Sequence, residues 1–235
     1  MNDWITELLA HPDLRRMGHG QRLEDLNLGL GWLYYALARS LRPTTVVVIG
    51  SFRGFVPLLF GKALQDNVEK GVVHFIDPSL VDDFWKDPQA VRDHFARFDV
   101  ANIRHHLMTT QQFVVSDAYR TLGPVDVLFV DGYHSAAQAR FDYEAFQNLL
   151  TPTGMALFHD SIDSKKSKIY GLDRTYEYGV CDFIATLKRD DRLQIIDLPI
   201  ARGLTLVRRI GTSPTTAPTG HGGPGQPHDG SPANP

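Results

Sequence analysis

The sequence predicts an α/β fold: a doubly wound, mostly parallel, seven-stranded sheet closed by a C-terminal antiparallel hairpin. Three observations predict it. Short apolar or β-branched runs alternate with helical stretches along the chain. Two of these runs, 125–130 and 155–159, are linked by one helical stretch (135–148) and a turn with Pro152 and Gly154, a crossover that makes neighbouring strands parallel. The last two, 193–198 and 204–209, flank a short Pro/Gly-containing turn and so pair antiparallel.

Each element has its own signal. Residues 1–43 form an N-terminal helical segment, in which 22–41 carries Leu23, Leu26, Leu30, Leu33, Tyr34 and Leu37 at helical spacing and stops before Pro43. Residues 45–49 are a β-branched run, as in a strand buried on both faces. A turn bounded by Gly50 and Gly54 leads into a helix at 55–64, and 72–76 is a second strand ending at Asp77. Residues 81–98 read as a helix broken or kinked at Pro88, 103–107 as a third strand, and 109–121 as a helix. A further helix spans 180–188. Residues 161–179, rich in Lys, Asp and Tyr (among them Tyr170 and Arg174), read as a lid at the ligand edge, with 17–21 as the opposite wall.

Composition narrows the function classes. The chain has 235 residues, 43% of them hydrophobic, enough for a substantial core. Residues 211–235 are mostly Gly, Pro, Ser, Thr and Ala and lack the apolar side chains that offset ordering entropy, so a disordered tail is expected after one domain at 1–210. A net charge of −3 provides no electrostatic footprint for nucleic acid. The single Cys181 excludes an internal disulfide and a thiolate zinc cluster, and reads as a buried small side chain. No apolar run approaches the ~18 residues of a membrane span, and a cytoplasmic protein is expected. Helix 22–41 packs either on the core or on a second copy of the chain in a homodimer.

The strand ends carry the chemistry. Parallel neighbours bring Asp131 and Asp160 to one edge of the sheet, with His134 and His159 beside them. Like charges that close repel unless a cation or proton sits between them, which points to a divalent metal. Mg²⁺ takes carboxylate oxygens and keeps several waters, so two acids suffice, while the imidazole of His159 shifts preference toward Mn²⁺. Ser161 is an alternative oxygen donor. His134, or Asp131 itself, is placed to take a proton from an acceptor hydroxyl. Asp142 reads as a surface or helix-pairing residue.

These residues carry a resemblance. Residues 46–54 (VVVIGSFRG) resemble the first motif of class I S-adenosylmethionine-dependent methyltransferases, with Val48 where that family usually has an acid. Residues 129–135 (FVDGYHS) and 158–161 (FHDS) resemble the small metal-dependent O-methyltransferases, including sugar- and macrolide-modifying enzymes and a cephalosporin-hydroxylase-like branch. The resemblance implies a Rossmann-like methyltransferase fold, with S-adenosylmethionine held by Gly50, Ser51, Gly54, Asp77, Thr109, Thr110 and Asp131. It further implies Mg²⁺ or Mn²⁺ on Asp131, His159 and Asp160, and a small-molecule hydroxyl acceptor, preferentially a carbohydrate. Two rivals stand beside it. A nicotinamide-dependent oxidoreductase lacks support, because G-x-G-x-x-G does not follow the first strand and no Tyr-x-x-x-Lys pair occurs. A non-catalytic cofactor- or partner-binding member of the fold is the other.

Overall fold

A computed structural model describes residues 1–168, 172–173 and 175–210. The expected tail at 211–235, and Tyr170 and Arg174 of the expected lid, lie outside the described residues.

The chain opens with α1 (Asn2–Ala10), α2 (Pro12–Arg15) and α3 (Gly31–Leu41). The alternating part then runs β1 (Thr45–Ile49), α4 (Phe55–Gln65), β2 (Val72–Ile76), α5 (Pro88–Ala96) and β3 (Ile103–His106). Two short helices, α6 (Thr110–Phe113) and α7 (Asp117–Arg120), precede β4 (Val125–Val130), α8 (Ala136–Phe146) and β5 (Leu150–His159). A small pair, β6 (Lys165–Ser167) and β7 (Tyr176–Tyr178), lies before α9 (Val180–Leu187), β8 (Leu193–Leu198) and β9 (Leu204–Arg209). The seven-stranded sheet has the order β3-β2-β1-β4-β5-β9-β8. β1 to β5 are mutually parallel, and β9 pairs antiparallel with both β5 and β8.

Strand periodicity divides the core into two layers. Val46 and Val48 of β1, with Val127 and Phe129 of β4, face α1, α3 and α4. Val47 and Ile49, with Leu128 and Val130, face α8 and α9 on the other side. Every one of these eight side chains is buried, as a parallel sheet covered on both faces requires. Val48 therefore sits in an apolar layer, registered between Phe75 and Phe129, where an acid would have been desolvated.

Local chemistry corrects several boundaries. Helix 22–41 begins only at Gly31. Residues 22–30 instead form a turn closed by Arg22 and Asn27, with Leu26 and Gly29 at positive φ. Backbone contact dictates this: Leu30 N–H donates to His19 O at 2.8 Å, and a Cβ on Gly29 would meet that oxygen at 2.1 Å. The 81–98 helix starts at Pro88, because Asp87 accepts hydrogen bonds from Gln89 and Ala90 N–H and caps it there. Ser116 caps a second helix and so splits 109–121 in two. Cys181 is half-buried, one position off the face on which Val180, Phe183 and Ile184 pack. Among the described residues no helix is long and apolar enough to cross a membrane.

Phe129 ties the layers to the site, with its ring edge-on to Tyr34 at 4.9 Å and to Phe60 at 6.0 Å. Phe129→Ala is expected to cost about 3–5 kcal/mol in urea unfolding. Val115→Ala, at a residue 69% exposed, should change stability by less than about 0.5 kcal/mol. Equal effects of the two substitutions would contradict this placement of the core.

Candidate active site

The C-terminal ends of β1, β2, β4 and β5 open onto one cavity of about 520 Å³. Gly50, Ser51, Asp77, Thr109, Thr110, Asp131, His134, His159 and Asp160 all line it. Gly54 does not: at φ +80° it starts α4 from behind the wall, where a Cβ would meet Trp85 at 3.0 Å. Its role is to shape the turn.

The turn after β1 is dictated by backbone proximity. Gly50 has φ +69°, and a Cβ there would lie 2.5 Å from Gly132 Cα and 2.6 Å from Asp131 O. The ends of β1 and β4 therefore touch through a residue that must be glycine. Ser51 N–H donates to Asp77 Oδ2 at 3.3 Å, and Ser79 N–H to Asp77 Oδ1 at 2.7 Å. Burial pushes the Asp77 carboxyl up to about 6, against the pull of those two bonds.

Thr109 caps α6 through a capping box with Gln112. Thr110 hydrogen-bonds to Asp142, which also accepts from Gln138 Nε2 at 2.8 Å. Asp142 is buried on the cavity wall, and burial pushes its carboxyl up to about 6 despite both bonds. Of the two expected roles the surface one is corrected: helical spacing from Ala139 and Tyr143 turns Asp142 inward, where its bond to Thr110 pairs α8 with α6.

At the heart of the site the parallel register of β4 and β5, Val130 opposite Phe158, sets Asp131 beside His159. His159 Nδ1 lies 2.9 Å from Asp131 Oδ1 and 3.8 Å from Asp160 Oδ1. Asp160 has φ +52° and accepts a hydrogen bond from Lys165 of β6. His134 Nε2 is 3.8 Å from Asp131 Oδ1 and 3.9 Å from Asp160 Oδ2, so the two acids do bracket one small volume. Ser161 turns away from the cavity and shares a hydrogen bond with Thr205 at 2.8 Å.

A further histidine enters from the N-terminal segment. His19 is fully buried, with Nε2 3.8 Å from Asp131 Oδ2 and its ring 4.1 Å from that of His159. Among the described residues, His19, Asp131 and His159 bring one ligand atom each to within 4.8 Å of one another. Sequence reasoning placed 17–21 on the opposite wall but did not single out His19. The available signal was a lone histidine between two glycines. His19 Nε2, His159 Nε2 and Asp160 Oδ1 are all buried without a hydrogen-bond partner.

Electrostatics differ among the three imidazoles. Burial, then the neighbouring His159 and His134, drives His19 well below the usual histidine range. Burial also lowers His134, with Asp131 and Asp160 opposing. For His159 burial is again the largest single effect, but the contact with Asp131 and the field of Asp160 together outweigh it and raise the ring. Within the described part of the expected lid, β6 and β7 pair antiparallel, and Lys165, Ser167 and Tyr178 line the cavity. Tyr178 lies 4.2 Å from the His134 ring, and Lys165 sits 4.1 Å over the Tyr178 ring.

Residues 47–161 match the family described as a methyltransferase domain. No curated protein matches the sequence. Solved structures do match its fold. The SAH-bound methyltransferase PaMTH1 of Podospora anserina is 18% identical, with a TM-score of 0.59 over 88% of this chain and 86% of that one. The O-methyltransferase TomG of Streptomyces achromogenes, in complex with SAM, is 16% identical, with a TM-score of 0.61 over 90% and 91%. An O-methyltransferase of Bacillus cereus in complex with SAH is 13% identical, with a TM-score of 0.62 over 89% and 92%. Residues 47–161 thus match the methyltransferase-domain family, and the chain as a whole shares the fold of these methyltransferase structures.

Asp142 offers a direct test of the buried wall. Its carboxyl titrates at about 6 when folded against a reference of 3.8, so its protonated form favours folding. That contribution is complete below about pH 4, fades as pH rises through 6 and is gone above it, an amount on the order of 3 kcal/mol at 1.36 kcal/mol per pH unit. Asp142→Asn should raise the thermal midpoint at pH 7 and reduce its dependence on pH between 4 and 7. A variant with the wild-type slope would show that Asp142 is not desolvated.

Proposed function

We propose that this protein is a metal-assisted O-methyltransferase that moves a methyl group from S-adenosylmethionine to a hydroxyl of a small carbohydrate-like acceptor. One observation carries the reading: the glycine turn, the Asp77 carboxylate and the Asp131–His134–His159 group open onto a single cavity. The close backbone approach that Gly50 and Ser51 allow on the cavity wall, and the Asp77 carboxylate beside it, suit the methionine and ribose parts of the donor. The Thr109–Thr110 wall suits the adenine.

The acceptor end fits a divalent cation such as Mg²⁺ or Mn²⁺ held by Asp131, His159 and Asp160. Asp160 Oδ1 and His159 Nε2, buried without partners beside the Asp131 carboxylate, are donor atoms of the kind a cation satisfies. When bound, the ion supplies Lewis acidity that lowers the pKa of the acceptor hydroxyl. Asp131 and Asp160 hold that end of the site, and Lys165 keeps Asp160 turned inward. His134 Nε2, between the two carboxylates, receives the hydroxyl proton. The acceptor oxygen forms the new C–O bond, the S–CH₃ bond breaks, and its electron pair stays on sulfur to leave S-adenosylhomocysteine. Alignment of the two substrates can supply about 7–11 kcal/mol of the barrier. The ring faces of Tyr133 and Tyr178, with the hydrogen-bonding ends of Lys165 and Gln138, suit a polyhydroxylated ring.

Calorimetry and a methyl-transfer assay over a glycoside panel test this reading. S-adenosylmethionine should bind with constant affinity above pH 6. Below it, affinity should fall by up to about tenfold per pH unit, because a proton on Asp77 competes with the ribose hydroxyls. Asp77→Asn should flatten that profile. A chelator should abolish transfer yet leave donor binding intact, and His134→Gln should lower kcat by about 10²–10⁴-fold. Absence of both donor binding and methyl transfer, with and without Mg²⁺, would overturn the assignment.

A further inference from the structure

We propose that His19 is a metal ligand, which with Asp131 and His159 forms a two-histidine, one-carboxylate site that selects a transition ion over Mg²⁺. This rests on the metal-assisted reading above and changes its donor set and its metal. The site joins the sheet edge to a segment that precedes the matched methyltransferase domain, which begins at residue 47.

The geometry of His19 is that of a ligand prepared in advance. Its ring is fully buried, stacked on Phe55 at 5.2 Å and tilted against His159 at 4.1 Å. Nδ1 lies 3.1 Å from Tyr34 Oη, and a proton donated there leaves the Nε2 lone pair facing Asp131. An outer hydrogen bond of this kind is what fixes the tautomer and orientation of metal-bound histidines. Nε2 itself has no hydrogen-bond partner, nor has Nε2 of His159. Two orphaned buried imidazole nitrogens beside one carboxylate are costly in a dry corner, and a cation satisfies all three at once.

The distances permit it. His19 Nε2 is 3.8 Å from Asp131 Oδ2, and the three residues offer donors within 4.8 Å of one another. A tetrahedral ion with bonds of about 2.0–2.1 Å separates its donors by about 3.4 Å, so the donors close in by up to about 1.4 Å on binding. The backbone that carries His19 is already held: Leu30 N–H donates to His19 O at 2.8 Å, and His19 N–H to Gln21 Oε1 at 3.0 Å. Gly29 permits this approach, since any Cβ there would strike His19 O.

Donor chemistry sets the preference. Mg²⁺ favours an octahedron of oxygens and keeps its waters, whereas a pair of imidazoles with one carboxylate suits Zn²⁺, Co²⁺, Fe²⁺ or Mn²⁺. Asp160 Oδ1 remains nearby as an additional oxygen, 3.8 Å from His159 Nδ1.

The test uses the full chain, stripped with a chelator and titrated with Co²⁺, Zn²⁺ and Mg²⁺ by calorimetry and visible absorption. One Co²⁺ per chain with intense d–d bands is expected, with Zn²⁺ bound at least about 100-fold more tightly than Mg²⁺. His19→Phe, which keeps a ring between Phe55 and His159, should weaken Co²⁺ and Zn²⁺ by about 100-fold and leave S-adenosylmethionine affinity unchanged. His19→Asn supplies the same readout if the phenyl ring unfolds the segment. Unaltered Co²⁺ bands in the folded variants, or Mg²⁺ bound as tightly as Zn²⁺ by the wild type, would overturn the site. Donor binding separates the two claims. If stripped wild-type protein binds S-adenosylmethionine but shows no transition-ion preference, only the His19 site fails; if it binds no donor, the methyltransferase reading fails.

Discussion

Two carboxylates and three imidazoles share one corner of this protein from which water is largely excluded, and the cost of that burial governs how the sheet edge is built. Asp131 and Asp160 come from neighbouring parallel strands, His134 and His159 follow or precede them, and His19 reaches in from the N-terminal segment. Among the described residues, Lys165 is the cavity cation bonded into this corner, through Asp160. That leaves three polar atoms buried and unpartnered. A buried polar group without a partner is tolerated where something outside the chain completes it, and the cation proposed above is a partner of that kind.

The rest of the architecture serves that corner. The β4–β5 register sets Asp131 next to His159, and a slip of one residue would turn either side chain into an apolar layer. The end of β1 is pressed so closely on β4 that Gly50 has no room for a side chain, which brings its turn against the same cavity. Asp77, one strand over, is desolvated and held by the Ser51 and Ser79 N–H groups. Asp77 and the Asp131–His159 pair thus share one cavity because four parallel strands end together, the general property of open α/β sheets. The apolar layers beneath, with Tyr34, Phe60 and Phe129 in ring contact, keep those ends in place.

Much of this was legible in the sequence, for reasons that can be named. β1, β2 and β9 begin and end where their β-branched and apolar runs do, because both faces or one face of each are buried, and β8 does so with Leu193, Ile195 and Leu198 half-buried. Asp77, Asp131, His159 and Asp160 were visible as polar residues closing such runs. Helix limits were read less well. The leucines at 23, 26 and 30 have helical spacing, yet backbone contact with His19 holds them in a turn. Pro88 and Asp87 together form a helix start rather than a kink, and Ser116 starts a helix inside an otherwise continuous pattern. Gly54 looked like part of a ligand-binding turn and instead faces Trp85, since a glycine signals close approach without naming what approaches. Asp142 and His19 depended on contacts between segments far apart in the chain, α8 with α6 and the N-terminal turn with the sheet edge. Periodicity within one element carries no record of such contacts.

The most direct test of the account is a crystal structure of the protein with S-adenosylhomocysteine and Mn²⁺, with anomalous scattering collected for the metal. The account predicts a metal peak bonded to Asp131 and His159, with the nucleoside laid along Gly50 and its ribose on Asp77. A nucleoside bound elsewhere, or a corner filled only by water at saturating Mn²⁺, would contradict it.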